Sequence, residues 1–588
     1  MESVAGPMQL AAIEHMTPPD VTIAGGQLVP GERALEAASG TIAAHAADRF
    51  FRAIAVDYDF TLTNGGVSTT GLAAVDQARR DGLKVVLVTG RILRELRAEL
   101  PEVDSHFDAI VAENGGVLAI AGSERALAQP VDVELEQALA ARGVPVRRGS
   151  VLLACDALHD RTVLEESARL GLEVQLVHNR AALMVLPSGI SKGTGVHHAL
   201  GMLGVSFHNT IGVGDGENDH SLLDGCEVGV AVANAVESLR RHADLVLEAP
   251  DGEGIAQLFA QVRRNGLRLH PRRWQIELGV TGSGERIFLP ASQINVLISG
   301  ESGYGKSYLA GLIAERLLDM RYSICVLDPE GDHVAIGHEH GVMVVDAREY
   351  SAAVLPAALG HRFGSAIVDL SQLCAEDKRR YMHEALAALA KLRAETGVPH
   401  WVFLDEAHDP IGARDLAETH LAGAQRGYCL VTYRPEALPP TFRSAIDVEL
   451  SLVERAGVAT HADAMHSARR FTVDVRRAVH VRHWHKYTHA QLPPLQRFVF
   501  RGDGRGADRS AGNLEEFQRE LSRAAAAVVS HHVTQGDFSR WVAQSLQDTK
   551  LANELSDIEA VGRGGRDTHD VRAMILAAIV RRYGALPG

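Results

Sequence analysis

The chain has 588 residues, 46% of them apolar and 23% charged, with 59 Lys and Arg against 74 Asp and Glu and a net charge of −15. These values exclude a wholly disordered or fibrous protein, and the length exceeds what one hydrophobic core serves, so about three to four domains are expected. The acidic balance excludes a global pull toward nucleic acid or anionic membrane, which leaves any such partner to a local basic patch.

The five cysteines, Cys155, Cys226, Cys325, Cys374 and Cys429, are scattered and form no Cys-x-x-Cys pair, which fits a reducing compartment. No run approaches the roughly 18 apolar residues of a membrane span, and the start lacks a basic segment leading into an apolar one. A cytoplasmic protein with no membrane partner is expected. Residues 1–48 mix Pro, Gly, Ala and isolated acids without a period, and read as a mobile arm or loosely docked extension.

From Phe51 onward, short β-rich runs at 54–56, 85–88, 109–111, 211–213 and 228–232 alternate with amphipathic helical stretches, the pattern of a parallel α/β sheet. This domain is expected over 49–265, with an inserted cap at about 117–187. A second α/β series, expected over 266–505, has strand candidates at 296–299, 324–327, 342–345, 367–370, 402–404 and 430–432. Residues 506–588 are expected to be a helical module. Leu514, Phe517 and Leu521, and Phe538, Trp541 and Val542, have spacings that pack helices together.

The first strand runs into Asp57-Tyr58-Asp59-Phe60-Thr61. Side chains alternate along extended backbone, so Asp57 and Asp59 face one pocket at the carboxyl edge of the sheet, where α/β proteins bind ligands. One carboxylate can attack while the other handles protons. Alone, Asp-x-Asp-x-Thr is a weak signal that surface turns also produce. Thr89 before Gly90-Arg91, Lys192 in Ser191-Lys192-Gly193, and Gly214-Asp215-Gly216-Glu217-Asn218-Asp219 each follow an apolar strand or open a helix, in one chain order.

Together with Glu113-Asn114-Gly115 and Gly252-Glu253-Gly254-Ile255, this set resembles the four motifs of haloacid-dehalogenase phosphatases, specifically the Cof-type with a cap between the second and third motifs. The resemblance implies a Rossmann-like core with an α+β cap, and an Mg²⁺-dependent reaction on a small phosphomonoester such as a sugar phosphate. Asp57 is then the nucleophile that forms an aspartyl-phosphate, and Asp59 is the acid and base, its backbone carbonyl also on the metal. Asp57 and Asp215 are the side-chain metal ligands with Asp219 in outer support, and Thr89 and Lys192 hold the phosphoryl oxygens. Asp219 as the N-cap of a helix starting near His220, and a capping role for Thr89, are the plainer alternatives.

Gly300-Glu301-Ser302-Gly303-Tyr304-Gly305-Lys306-Ser307 follows an apolar strand and opens the helical run 308–318, so context and spelling both fit a P-loop. Backbone N–H groups at Gly300, Gly303 and Gly305, and on into Tyr308, are expected to wrap the phosphates of ATP; Lys306 reaches the β- and γ-phosphates and Ser307 binds Mg²⁺. In Trp401-Val402-Phe403-Leu404-Asp405-Glu406, Asp405 is expected to support that Mg²⁺ and Glu406 to polarise water, which favours hydrolysis over transfer to a hydroxyl.

With Asp328-Pro329-Glu330-Gly331-Asp332 and Thr432-Tyr433-Arg434-Pro435, these motifs resemble the HerA/FtsK-type ATPases over about 276–452. The resemblance implies a RecA/HerA-like domain and a homo-oligomer, with a hexameric ring as the leading form. Arg434 or Arg426 is the candidate trans-acting finger, and a surface arginine paired with an acid is the alternative for each. Tyr433 stands where the family usually has a glutamine that senses the terminal phosphate, so nucleotide binding is implied more firmly than rapid turnover.

Residues 469–509 are rich in arginine and carry His483-Trp484-His485-Lys486-Tyr487-Thr488-His489, a composition that suits nucleic-acid contact and equally a solvated β-ribbon. Three functions remain open on the sequence: a phosphatase with an ATPase unit, a nucleic-acid translocase or defence-type machine whose phosphatase domain processes nucleotides or DNA ends, and a phosphatase with a nucleotide-gated scaffold.

Overall fold

The structure is a computed structural model that describes residues 20–24, 50–63, 66, 68–265, 267–301, 304–360, 364–408, 426–453, 456–461, 468–474, 492, 496–501, 509–546 and 548–583. Among them no helix is long and apolar enough to cross a membrane. Most of the basic stretch 469–509, including all of His483 to His489, lies outside the described residues.

The first unit is built on an eight-stranded sheet in the order Leu245–Val246, Val228–Ala231, Thr210–Gly214, Ala53–Asp57, Lys84–Val88, Ala109–Ala112, Val117–Ile120 and Ser123–Ala126. The first six strands are parallel, and Ala53–Asp57 at the centre is buried at every position, as a strand covered by helices on both faces requires. The hairpin Val117–Ile120/Ser123–Ala126 extends this sheet by antiparallel pairing, which corrects the expected start of the cap.

The cap begins only after that hairpin. It is a four-stranded antiparallel sheet in the order Arg147–Arg148, Leu153–Asp156, Ala182–Pro187 and Val174–Asn179, with helices Val133–Ala141 and Asp160–Leu170. Its own core forms around Leu135, Leu139, Leu153, Val163, Leu183 and Val185.

The second unit has a twelve-stranded sheet. Its parallel part runs Val448–Val453, Val296–Gly300, Tyr428–Thr432, Trp401–Leu404, Ile324–Asp328, Ala366–Asp369 and Met343–Asp346. One strand thus separates the P-loop strand from the Asp405 strand, as the sequence leaves room for. Residues Asp20–Ala24 pair within this sheet, parallel to Ala456–His461 and antiparallel to Ala468–Val473, so the expected mobile arm supplies a strand to the second unit.

The C-terminal module starts earlier than the expected 506. Strand Phe498–Phe500 pairs with Arg509–Ala511, and alternation puts Phe498 and Phe500 on one face, with ring centroids 5.2 and 5.5 Å from that of Phe517 in the helical core.

The two sheets dock through the amino-terminal edges of their strands. On the first unit, His208 and Asn209 precede Thr210–Gly214 and Glu227 precedes Val228–Ala231; on the second, Ser292 lies shortly before Val296–Gly300, Tyr322 before Ile324–Asp328 and His400 before Trp401–Leu404. Glu227 is fully buried and accepts from His208 Nδ1 at 2.6 Å, from the Tyr322 hydroxyl at 2.9 and 3.1 Å, and from Ser292 Oγ. His208 also faces the Met320 carbonyl at 2.9 Å and stacks on Tyr322 with centroids 3.5 Å apart, and His400 meets Asn209 at 3.1 Å.

Glu227→Ala leaves these donors without their acceptor in a seam that excludes water. We expect a loss of about 3–5 kcal/mol in denaturant unfolding, with the two units melting in separate steps. A single transition at the wild-type midpoint would show that the seam is not held this way.

Candidate active sites

At the carboxyl edge of the first sheet, Asp57 ends the central strand and Lys192 opens the helix Lys192–Leu203. Ser191 caps that helix by accepting from Thr194 N, while the Thr194 hydroxyl accepts from Ser191 N. Gly115, at φ 105°, allows the close approach: a Cβ there would lie 2.0 Å from the Ser191 carbonyl oxygen. Lys192 is 1% exposed, and its Nζ lies 2.6 Å from both Asp57 Oδ1 and Asp219 Oδ1.

Burial works against the charge on Lys192, but the Asp219 and Asp57 carboxylates outweigh it and hold the ammonium's pKa above its usual value. Burial also pushes the Asp57 carboxyl well up, helped by Asp219 and opposed by Lys192. Asp215 rises to about 6, with burial as the main cause and the Arg180 hydrogen bond opposing it.

The loop after Thr210–Gly214 brings the other carboxylates in. Asp219 folds back so that its Oδ2 accepts from Asp215 N at 3.0 Å and Gly216 N at 2.9 Å. It makes no side-chain cap on the helix His220–Asp224, so the capping alternative fails and the carboxylate fixes the loop instead. Asp215 accepts from Thr61 Oγ1 at 3.2 Å and from Arg180 Nη2 at 2.8 Å. One oxygen from each of Asp57, Asp215 and Asp219 falls within 4.8 Å of the others. Three converging hard-oxygen donors, with burial disfavouring the ionised forms of Asp57 and Asp215, make a donor set suited to a small divalent cation.

Asp59 stands outside that trio and is gripped by Arg91, with Nε 3.0 Å from both oxygens and Nη2 at 2.6 Å from one. Thr89 is buried just past Lys84–Val88, and its hydroxyl accepts from Arg91 N at 3.1 Å, a local turn contact of the kind the capping alternative expects. Two residues gain a role that the sequence does not show. Glu113 accepts from the backbone N–H groups of Ser150, Val151 and Leu152 at 2.8, 2.7 and 3.2 Å and so ties the cap to the core. Arg180 reaches the Asp215 loop from the tip of a cap hairpin.

At the carboxyl edge of the second sheet, Gly300 closes the strand Val296–Gly300, and Gly305, at φ 94°, opens the helix Lys306–Asp319. Ser302 and Gly303 lie outside the described residues. Lys306 Nζ donates to the Glu301 carbonyl at 3.0 Å and sits 6.0 Å from the centroid of the Tyr433 ring. The Tyr308 side chain is buried in the apolar cluster between sheet and helix, so it is the backbone of this residue that can serve the loop.

Ser307 Oγ donates to Asp405 Oδ2 at 3.0 Å, and His333 Nε2 lies 3.4 Å from the same oxygen. Asp328 caps the following turn, accepting from Gly331 N at 2.8 Å and His333 N at 2.7 Å and more distantly from Glu330 N and Asp332 N. Burial raises Asp328 to about 6, with His333 opposing. The Ser307 and Asp405 oxygens therefore suit a divalent cation, and Asp328 and His333 offer ligand atoms beside Asp405, although Asp328 Oδ1 is engaged by three backbone donors.

Glu406 has φ 50°, and its carboxylate lies 3.5 Å from His408 Nδ1, which also meets Thr432 Oγ1 at 3.1 Å. His408 packs edge-on against Tyr433 with ring centroids 4.4 Å apart, and the Arg434 guanidinium carbon lies 5.0 Å from the centroid of the Tyr433 ring. Arg426 stands before Tyr428–Thr432, at the edge opposite the P-loop, ion-paired with Asp447 at 3.0 Å.

Comparisons with known proteins match both units to known families. The model of haloacid dehalogenase-like hydrolases matches residues 172–259, and that of the central domain of helicase HerA matches residues 287–397. The phosphoglycolate phosphatase of Methanothermobacter thermautotrophicus is 32% identical over 213 residues, 35% of this chain and 96% of that protein. The phosphoglycolate phosphatase of Archaeoglobus fulgidus is 31% identical over 217 residues, 35% of this chain and 94% of that protein. A solved sugar phosphatase of HAD subclass IIB aligns with 37% of this chain and 100% of its own at 20% identity, with a TM-score of 0.31. The chain belongs to the haloacid dehalogenase-like hydrolases, as a phosphatase of that family fused to a HerA-like domain.

Proposed function

We propose that the chain is an Mg²⁺-dependent phosphomonoester hydrolase that works through an aspartyl-phosphate, fused to a unit that binds and hydrolyses ATP. The observation that carries the first part is the buried Lys192 bridging Asp57 and Asp219 beside Asp215. A carboxylate attacks a phosphoryl group only where charge is neutralised, and this arrangement keeps a cation against the attacking oxygen.

Asp57 Oδ attacks phosphorus as the bond to the leaving oxygen breaks, and Asp59 delivers a proton to that oxygen. Asp59 then takes a proton from water, which attacks phosphorus and returns the Asp57 carboxylate. Arg91 keeps Asp59 oriented between the two steps. Lys192 and Thr89 hold the phosphoryl oxygens. Asp57, Asp215 and the Asp59 carbonyl, with Asp219 behind, would hold Mg²⁺, which would supply the remaining neutralisation.

Both named relatives are phosphoglycolate phosphatases, so phosphoglycolate joins sugar phosphates as a candidate substrate. Phosphate release from phosphoglycolate, a sugar-phosphate panel and nucleotides, each with Mg²⁺ and with EDTA, tests the reading. We expect turnover of at least one small phosphomonoester that EDTA abolishes; no release from any of them rejects it.

In the second unit, Lys306 and the P-loop backbone hold the phosphates of ATP, Ser307 and Asp405 hold Mg²⁺, and Glu406 orients water. A nucleotide-gated scaffold is the second reading, supported by the Tyr433 ring near Lys306 where related ATPases carry glutamine. A homo-oligomer, with Arg434 donated to a neighbour's nucleotide, belongs to the first; light scattering with and without ATP analogue distinguishes it from a monomer.

A further inference from the structure

The cap hairpin formed by Val174–Asn179 and Ala182–Pro187 turns at Arg180, whose φ is 53°. The turn hangs over the Asp215 loop: a Cβ on Gly216 would stand 3.3 Å from Asn179 Oδ1. From there Arg180 Nη2 donates to Asp215 Oδ2 at 2.8 Å, and its guanidinium carbon is 3.8 Å from the centroid of the Phe60 ring, next in sequence to Asp59. The Arg180 side chain is 43% exposed whereas that of Asp215 is 5% exposed, so the guanidinium stands at the mouth and the carboxylate in the floor.

Asp215 is one of the carboxylates suited to a divalent cation, and Arg180 occupies one of its two oxygens, Oδ2. A guanidinium and a divalent cation on one carboxylate repel each other in a partly desolvated site. Loading of the metal therefore weakens the hold of Asp215 on Arg180, while the stacking on Phe60 keeps the guanidinium in place over the mouth. A released, still oriented guanidinium seeks another anion. Its planar pair of N–H groups matches a carboxylate in two parallel hydrogen bonds.

Asp215, which Arg180 holds, offers an oxygen within 4.8 Å of oxygens of Asp57 and Asp219, so that anion has to lie a few bonds from the transferring phosphoryl group. No other cap cation is placed on the catalytic carboxylates among the described residues.

We propose that Arg180 is the specificity-determining residue of the phosphatase site, selecting small phosphomonoesters whose leaving part carries a carboxylate, and that it exchanges that carboxylate for Asp215 when metal and substrate bind. The assignment rests on the phosphatase reading given above. It makes Arg180 both a competitor of the metal in the empty site and a binding group for substrate in the loaded one, two effects of opposite sign.

The test compares phosphoglycolate with ethyl phosphate, in which a methyl group replaces the carboxylate, and with a bisphosphate of similar length. It uses the full chain as wild type, Arg180→Gln and Arg180→Lys. In Arg180→Gln we expect the ratio of kcat/KM for phosphoglycolate over ethyl phosphate to fall about 10- to 100-fold, mostly through KM, as loss of one charge-assisted pair predicts. Arg180→Lys restores part of the ratio because it keeps the charge and loses the two-pronged geometry.

Calorimetric titration of the substrate-free protein with Mg²⁺ supplies the second readout. Affinity at the first site rises in Arg180→Gln, whereas a purely structural latch would leave it unchanged or lower it; the difference from wild type isolates this site because Arg180 lies in the first unit. Both changes are required. A ratio within about threefold of wild type, or unchanged or weaker Mg²⁺ binding, overturns the assignment. A wild type that prefers the bisphosphate assigns the cation to a second phosphate and overturns the carboxylate. Wild-type hydrolysis of ethyl phosphate without preference for phosphoglycolate overturns it while leaving the phosphatase reading intact, and hydrolysis of none of the esters overturns both.

Discussion

Asp57→Asn abolishes phosphatase turnover, by at least about 10⁴-fold, and leaves the protein folded. The amide keeps the shape of the carboxylate but cannot attack phosphorus, and no other carboxylate stands on the same strand end facing Lys192. Lys192 retains Asp219 at 2.6 Å, so its ammonium stays paired. Burial and the Asp219 charge disfavour ionised Asp57, and the neutral side chain relieves both, so the unfolding midpoint of the first unit should not fall. The change also leaves ATP-analogue binding as in wild type, because the sites occupy different sheets. Phosphate release and thermal unfolding measured on the same preparation decide the matter: retained turnover removes Asp57 from the nucleophile's place, and a lost transition assigns the effect to folding.

The residues of the first site were legible because each is attached to a local signal. Asp57, Thr89 and Asp215 follow apolar strands, and Lys192 follows a Ser191 cap; parallel strands then bring those ends together whatever the loops between them do. Arg180 had no such signal. It lies in the turn between two cap strands, where an arginine is ordinary, and only the docking of cap on core aims it at Asp215. Glu113 was visible as part of a phrase, but its three backbone donors come from 150–152, and nothing local predicts that pairing.

Boundaries failed for a different physical reason. The hairpin 117–126 and the strand Phe498–Phe500 have ordinary strand patterns, and which sheet a strand joins depends on the partner that covers it. The seam around Glu227 was least legible of all. Its partners His208, Ser292 and Tyr322 are polar residues at strand starts, scattered along the sequence and joined only when the two sheets meet edge to edge. Since both catalytic edges then face outward, and each central strand spans five residues at about 3.3 Å per residue, the two sites stand on the order of 35 Å apart. At that separation one small substrate does not bridge both sites, and the seam is a direct contact between the two units.

Glu406→Gln is expected to lower ATP hydrolysis about 10²- to 10⁴-fold while nucleotide binding persists, whereas Lys306→Ala weakens binding itself. The contrast follows from position. Lys306 opens the P-loop helix, and its Nζ, which donates to the Glu301 carbonyl at 3.0 Å, is the cation that phosphate oxygens would draw over. Glu406 follows Asp405, and its backbone N–H donates to Asp405 Oδ1 at 2.9 Å, which turns its own side chain away from the metal-binding oxygens toward His408. A glutamine there keeps the size and the contact with His408 but no longer accepts a proton from water. If the unit is instead a nucleotide-gated scaffold, wild type already hydrolyses ATP at the level of Glu406→Gln, and only the Lys306→Ala variant differs from it. Equilibrium binding of a fluorescent ATP analogue, read beside phosphate release for all three proteins, separates these outcomes. Equal and substantial hydrolysis by wild type and Glu406→Gln removes Glu406 from water activation, and unimpaired binding by Lys306→Ala removes the P-loop from nucleotide recognition.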